Sequence, residues 1–263
     1  MTQEIKALIH FPNEYFEGLS KIYQNGVANF SSEREQDVMN ACDRFVSRHN
    51  KEDMLRLLSI GPADGFFDIP VIDYLIKRFG KITYVVIEPE NNQIQKFEDL
   101  VKSRNEQNLW TTVKFEFHQK TIEAYLKEIE RGAALGRFDI ILLLHSVYHI
   151  MDPANVFAEL YGQLNRGGML YCQIGVGPWE EVNIRVGNVI SDPNITRIGS
   201  ATLQKLLKHR MPDVKIHTQY RKMNFKAGEC FNEESRDGKL MVDFLVQVHD
   251  FKKTAPPKLL VTS

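Results

Sequence analysis

Gly61 and Gly65 bracket a short turn, Gly61-Pro62-Ala63-Asp64-Gly65, that follows the apolar run Leu57–Ile60. About two dozen residues later a second apolar run, Tyr84–Ile87, ends on an acidic residue, Glu88. These residue types at this interval suit a ligand that carries adenosine. Glycines in a strand-to-helix turn let the backbone approach the ligand. A carboxylate at the next strand end accepts hydrogen bonds from the two ribose hydroxyls. The plain alternatives are an ordinary tight turn and a solvated carboxylate.

The turn also discriminates between ligands. A dinucleotide site wants G-x-G-x-x-G, so that a pyrophosphate rests on a helix N-terminus with no side chain in the way. Here Ala63 stands at the middle glycine, and Pro62 removes a backbone donor. A phosphate-free adenosine fits better, as in S-adenosylmethionine, whose amino-acid tail can lie against the turn. Gln93, just after Glu88, either reaches this ligand or faces water. Thr121 follows the third apolar run and either bonds the adenine amino group or caps the next helix. His118 reads as structural or exposed.

The reaction itself is expected at the end of the run Phe138–Leu144, where His145, Tyr148 and His149 follow in HSVYHIMDP. A histidine at the carboxyl end of a central strand is either a satisfied interior group or a site group, and site groups concentrate there. Imidazole, with an ordinary pKa of about 6.5, is mostly neutral at pH 7 and able to accept a proton. Asp152 with Pro153 reads as a turn and helix start.

Alternating elements must position these groups. Residues 1–50 read as an amphipathic helical cap, with Val38, Ala41, Phe45 and Val46 on one face. Strands are expected at Leu55–Ile60, Tyr84–Ile87, Val113–Phe117, Phe138–Leu144 and Met169–Ile174. Helices are expected at Ile69–Arg78, Asn91–Lys102, Ile122–Arg131 and Pro153–Leu164, the last closed by Arg166-Gly167-Gly168. The order implies a mostly parallel sheet with helices on both faces. Beyond Ile174 the pattern predicts a loop over Gly175–Asn183, a helix over Ser200–His209, a strand over Val214–Tyr220 and a helix over Leu240–Phe251. No linker divides the chain, so 51–263 is expected to form one unit with the cap.

Bulk properties narrow the class. The 33 basic and 34 acidic side chains nearly cancel, which argues against a nucleic-acid or acidic-membrane partner. Cys42, Cys172 and Cys230 are scattered, with neither a disulfide framework nor metal-ligand spacing. No signal peptide or membrane span is read. A cytoplasmic monomer without a metal is expected.

The segments LLSIGPADG, VVIEPENNQI, VKFEFHQKT and FDIILLLHSVYHIMDP, with TAPP near the end, resemble the class I S-adenosylmethionine-dependent methyltransferases. Within them the chain most resembles the histamine N-methyltransferase family, from about Tyr15 to Pro257. The resemblance implies a Rossmann-like fold and cofactor contacts at Gly61, Glu88, Gln93, Thr121 and the strand end at Leu144–His145. It also implies an acceptor pocket drawn from Tyr15, Glu33, His145, Tyr148, Trp179 and Phe231. The family carries glutamine where this chain has His145, and a second pocket tryptophan where it has Asn183. Glu33 aligns with the family's N-terminal glutamate only across a gap. The family continues past TAPP to a last strand, which is here either absent or replaced by the Lys258–Val261 run.

The function expected is methyl transfer to a nitrogen of a small amine or imidazole-like acceptor, with His145 as the catalytic group. Two rivals remain at this point: a non-catalytic relative that binds the cofactor, and a nicotinamide-dependent oxidoreductase.

Overall fold

The computed structural model describes residues 5–25, 30–47, 53–132, 136–175, 178–187, 198–220 and 226–255. The chain divides into two compact units. One holds Ser32–Ile174 and Leu203–Val214, and the other Met1–Ser31, Gly175–Thr202 and Lys215–Ser263.

The first unit carries the sheet. Strands β1 (Met54–Ile60), β2 (Lys81–Ile87), β3 (Val113–His118), β4 (Phe138–Leu144) and β5 (Leu164–Gln173) lie in the order β3-β2-β1-β4-β5. Every pairing is parallel. The α/β, mostly parallel architecture read from the sequence is therefore present. The run Leu57–Ile60 is apolar on nearly every position because both of its faces are covered. On one face Leu55, Leu57, Tyr84, Val86, Ile140 and Leu142 join a core with side chains from three helices, α2 (Phe30–Val46), α3 (Ile69–Leu75) and α4 (Asn91–Glu106). The opposite set, Leu58, Ile60, Val85, Ile87, Ile141 and Leu143, is buried as well. So are the apolar faces of α5 (Ile122–Glu130) and α6 (Pro153–Gly162). In α2 the expected stripe is buried at Val38, Ala41 and Phe45, with Cys42 beside them, and half-buried at Val46. Burying an aromatic or aliphatic side chain stabilises by about 1.5–3 kcal/mol, so this face carries much of the fold.

Two boundaries differ from expectation here. Helix α6 stops at Gly162, and Leu164 already pairs with Phe138. The Arg166-Gly167-Gly168 segment is therefore an irregularity inside β5 rather than a helix stop. Gly167 has φ +83°, and a Cβ on Gly168 would press on the carbonyl oxygens of Asn165 and Asp139. The alternating segment Val214–Tyr220 forms no strand among the described residues. Alternation alone supplies no partner edge, and pairing is what makes a strand.

The second unit contains α1 (Pro12–Gln24), α7 (Pro178–Gly187), α9 (Arg236–Val246) and α10 (Phe251–Thr254), while α8 (Ser200–Arg210) begins in it. Gly18 brings α1 against α9, since a Cβ there would stand 2.7 Å from the Leu240 carbonyl oxygen. The expected loop over Gly175–Asn183 is largely the start of α7. Pro178 at the first helical position and Glu180 and Glu181 in the first turn favour a helix start. The expected helix Leu240–Phe251 breaks after Val246, where Gln247 turns left-handed at φ 58°. Buried Asp243 explains the break. It accepts the amide hydrogens of Asp250 (3.0 Å) and Phe251 (2.9 Å), which a continuous helix would direct elsewhere. The Lys258–Val261 run lies outside the described residues.

Candidate active site

The glycine turn leaves β1 through three left-handed residues, Gly61 (φ +63°), Ala63 (φ +52°) and Gly65 (φ +79°). Gly61 continues the sheet by donating its amide to the Ile87 carbonyl (2.8 Å). Both glycines are needed sterically. A Cβ on Gly61 would stand 2.7 Å from Ser146 Cβ, and one on Gly65 would stand 2.5 Å from the Phe97 ring. These distances record close approach of the turn to Ser146 and Phe97.

Glu88 sits where β2 ends and is only 5% exposed. Its Oε2 accepts the Ala63 amide hydrogen (3.0 Å) and its Oε1 accepts that of Glu90 (2.9 Å). Burial pushes its carboxyl up to about 7, and the two amide donors oppose that rise. A carboxylate offers about four lone-pair sites, so two remain after these bonds. Vicinal ribose hydroxyls would fill them and favour the ionised form. The solvated reading of Glu88 does not hold. The adenosine reading fits the residues present.

A second buried carboxyl, Asp68, ends the turn. Ser59 Oγ donates to its Oδ1 at 2.5 Å, and the Tyr84 hydroxyl donates to the same oxygen. Its Oδ2 is buried with no partner among the described residues. Asp68 thus ties the turn to β1 and β2 from beneath. Burial lifts its pKa to about 6, against the pull of the two hydroxyls. No motif along the chain marks this triad. Its only signal was a lone serine and a lone tyrosine inside apolar strands.

The remaining cofactor candidates divide. Gln93 lies in the first turn of α4 and is buried, so it does not face water. Thr121 is exposed, and its Oγ1 accepts the Ala124 amide (3.3 Å), the helix-capping alternative. Leu144 is the buried last residue of β4.

His145 leaves the sheet in a left-handed conformation, φ +59°, while its amide still bonds the Gln173 carbonyl (3.0 Å). Such a conformation is unusual away from glycine and costs about 1–3 kcal/mol. The ring is half-buried, with Nε2 buried, and it faces Phe67 at 5.9 Å between centroids. Tyr148 and His149 follow in a 3-10 turn, Val147–His149. Burial drives the His149 pKa down to about 4, so it stays neutral near pH 7. Asp152 caps α6 by accepting the Asn155 amide (3.2 Å), as its residue type suggested. His118 is half-buried, edge-on to Tyr125.

The sheet-bearing unit therefore gathers Gly61, Glu88, Leu144 and His145 at the carboxyl ends of β1, β2 and β4. The strand order changes direction between β1 and β4, the place where open α/β sheets bind ligands. Glu33 lies in α2 and Trp179 in α7, with side chains outside the described residues. In the other unit, Tyr15 of α1 is buried edge-on against Phe16 and Phe244. Phe231 ends the turn Gly228–Phe231 and is 81% exposed.

A parallel sheet in this order, a glycine turn and a strand-end glutamate define a class I S-adenosylmethionine-dependent methyltransferase. A family model described as a methyltransferase domain matches residues 30–211, and the chain belongs to that family. Bos taurus histamine N-methyltransferase is 25% identical over 211 residues, 78% of this chain and 70% of the relative. Xenopus laevis histamine N-methyltransferase A is 23% identical over 267 residues, 98% of this chain and 88% of the relative. Gallus gallus carnosine N-methyltransferase 2 is 25% identical over 244 residues, 86% and 72%. Among solved structures, plantazolicin methyltransferase BamL aligns with a TM-score of 0.45 and 15% identity over 93% of this chain and 90% of that one.

Proposed function

We propose that the chain transfers a methyl group to a nitrogen of a small amine or imidazole-like acceptor. What carries this reading is the extent of the likeness to the histamine N-methyltransferases, 98% of the chain in the Xenopus laevis case, together with the buried Glu88 beside the glycine turn. The carnosine N-methyltransferase relative points to the same acceptor class, an imidazole-bearing small molecule.

S-adenosylmethionine, when bound, supplies a methyl group already activated by a positively charged sulfur. The chain's own work is then alignment and exclusion of water. Gly61, Glu88, Gln93 and Leu144 hold the donor side. His145 and Tyr148 face the reacting nitrogen in this reading, with Tyr15, Glu33, Trp179 and Phe231 assigned to the acceptor pocket. Thr121 is kept as a cofactor contact: its Oγ1 accepts the Ala124 amide, and a hydroxyl has a second lone pair left for the adenine amino group. Holding reactants in line is worth on the order of 7–11 kcal/mol at best. The acceptor nitrogen must present a lone pair, and in this reading His145 takes its proton or accepts its N–H hydrogen bond.

Cys42, Cys172 and Cys230 are free thiols, in keeping with a reducing compartment. No helix among the described residues is long and apolar enough to cross a membrane. The near-zero net charge favours a small-molecule acceptor over nucleic acid, and the chain is taken as a cytoplasmic monomer in this reading. The test is to incubate the chain with labelled S-adenosylmethionine and a panel of biogenic amines, imidazoles and pyridines. A methylated nitrogen product is expected. Cofactor binding without product across the panel would instead select a non-catalytic binding protein.

A further inference from the structure

We propose that Phe67 is a positioning residue for His145, so that the turn holding the donor also orients the group facing the acceptor. The proposal rests on the role given to His145 above, and the geometry around Phe67 supports it from several sides.

Phe67 belongs to the glycine turn, not to the strand end that carries His145. Its ring lies 5.9 Å from the imidazole, tilted by 55°, inside the range of favourable aromatic pairs. The backbone around it has little freedom. Asp68, next in the chain, is held by the hydroxyls of Ser59 and Tyr84. The amides of Asp68 and Ile69 both donate to the Gly65 carbonyl, at 2.9 and 3.2 Å. The Phe67 side chain also packs against the core that lies between the sheet and α2–α4. An anchored ring of this kind sets the position of whatever rests on it.

His145 is the partner that benefits. It sits in a left-handed backbone conformation, which persists only where the surroundings over-determine it. The main-chain bond to Gln173 fixes its amide, but not its χ angles. The contact with Phe67 supplies a restraint on the ring itself. A second contact, Gly61 against Ser146, joins the same two segments one residue further along the β4 end. Donor turn and strand end thus pack together at Gly61–Ser146 and at Phe67–His145, and Phe67 touches the imidazole.

The experiment compares the full-length chain with Phe67→Ala, Phe67→Tyr, His145→Gln and the double variant Phe67→Ala/His145→Gln. S-adenosylhomocysteine affinity is expected to stay within roughly threefold in all of them, because neither side chain bonds the adenosine half. With the best acceptor from the panel, Phe67→Ala should lower kcat on the order of 30- to 100-fold, the scale of a misplaced catalytic group. Phe67→Tyr should retain most of the rate. In the His145→Gln background the Phe67→Ala loss should shrink to roughly threefold or less, since interacting residues are non-additive. Full additivity would overturn the proposal.

A second readout needs no turnover. The His145 side chain, its resonances assigned by their loss in His145→Gln, should show three-bond couplings of one χ1 rotamer in the unaltered chain, averaged couplings when the Phe67 ring is removed, and the single-rotamer values again in Phe67→Tyr. If no acceptor is methylated, the function reading fails, but these couplings still decide the proposal. Unchanged couplings in Phe67→Ala would sink it. Should Phe67→Ala fail to fold, Phe67→Leu keeps the bulk and removes the ring, with the same expectations.

Discussion

Glu88 Oε2 accepts the amide hydrogen of Ala63 at 3.0 Å, so the carboxylate that ends β2 also holds the middle of the turn that leaves β1. One side chain thereby joins two strand ends of the proposed cofactor site. Its carboxyl is pushed up to about 7 by burial. Ribose hydroxyls bond best to the ionised form, so cofactor binding should release a proton. Affinity for S-adenosylhomocysteine is expected to rise from pH 6 to about pH 7 and then level off. Calorimetry in buffers of different ionisation enthalpy measures the released proton directly. Glu88→Gln should weaken binding by about 1.5–3 kcal/mol, the worth of hydrogen bonds to a charged group, and remove the pH dependence. A pH-independent affinity in the unaltered chain would refute the assignment of Glu88.

The stability of the ligand-free chain should move the other way. Between the ordinary carboxyl value of 4.5 and about 7, the folded chain keeps a proton on Glu88 that the unfolded chain has released. Stability therefore falls as pH rises through that window, by up to about 3 kcal/mol from this site. Asp68 adds a decline of the same sign between 3.8 and about 6. Denaturant midpoints at pH 5 and pH 7.5 check both, with Glu88→Gln and Asp68→Asn each flattening the profile.

Asp68→Asn and Asp68→Ala should differ sharply. Asparagine keeps an acceptor for the Ser59 and Tyr84 hydroxyls and carries no charge to bury. Alanine removes the acceptor that two buried hydroxyls share and leaves them only each other, at about 1–3 kcal/mol for the donor left unpaired. Thermal melts of the two variants give the comparison, and equal losses would show that the hydroxyls find other partners.

Gly61→Ala places a methyl 2.7 Å from Ser146 Cβ and a side chain on a backbone at φ +63°. A loss of about 1–3 kcal/mol in stability is expected from the backbone conformation alone. Adding Ser146→Gly should relieve the clash and restore part of the loss, leaving the conformational cost. Ala63→Gly works in the opposite direction. Alanine at φ +52° is strained, so glycine should stabilise the chain by up to about 1 kcal/mol. A measurable destabilisation there would mean that the Ala63 methyl packs favourably.

His145→Gln tests the chemistry. General acid–base groups contribute about 10²- to 10⁴-fold in rate, so kcat should fall by such a factor while S-adenosylhomocysteine binding holds. Unchanged turnover with the true acceptor would remove the proton role.

Much of this was legible along the chain. Apolar runs of strand length, helical periodicity between them, and a glycine turn followed by an acidic strand end are local signals. They determined the α/β order and the five parallel strands, and they pointed to Gly61 and Glu88 as the donor side proposed above. Helix boundaries were less secure, since a cap or break depends on which groups compete for the backbone. Asp243 drawing the amides of Asp250 and Phe251 ends α9 where apolar spacing alone would continue it.

What the tertiary structure decided is convergence. Tyr84 pairs with Leu57 and Ser59 with Val86, so the two hydroxyls share one face of the sheet and meet at Asp68. No local pattern encodes that, because it depends on inter-strand register. Phe67 and His145 are far apart in the chain yet are in ring contact. Thr121 caps α5 through one lone pair of its hydroxyl, and Phe231 is exposed. Periodicity reports which face a residue occupies. Only folding brings two faces together, and the chemistry of the strand ends arises where they meet.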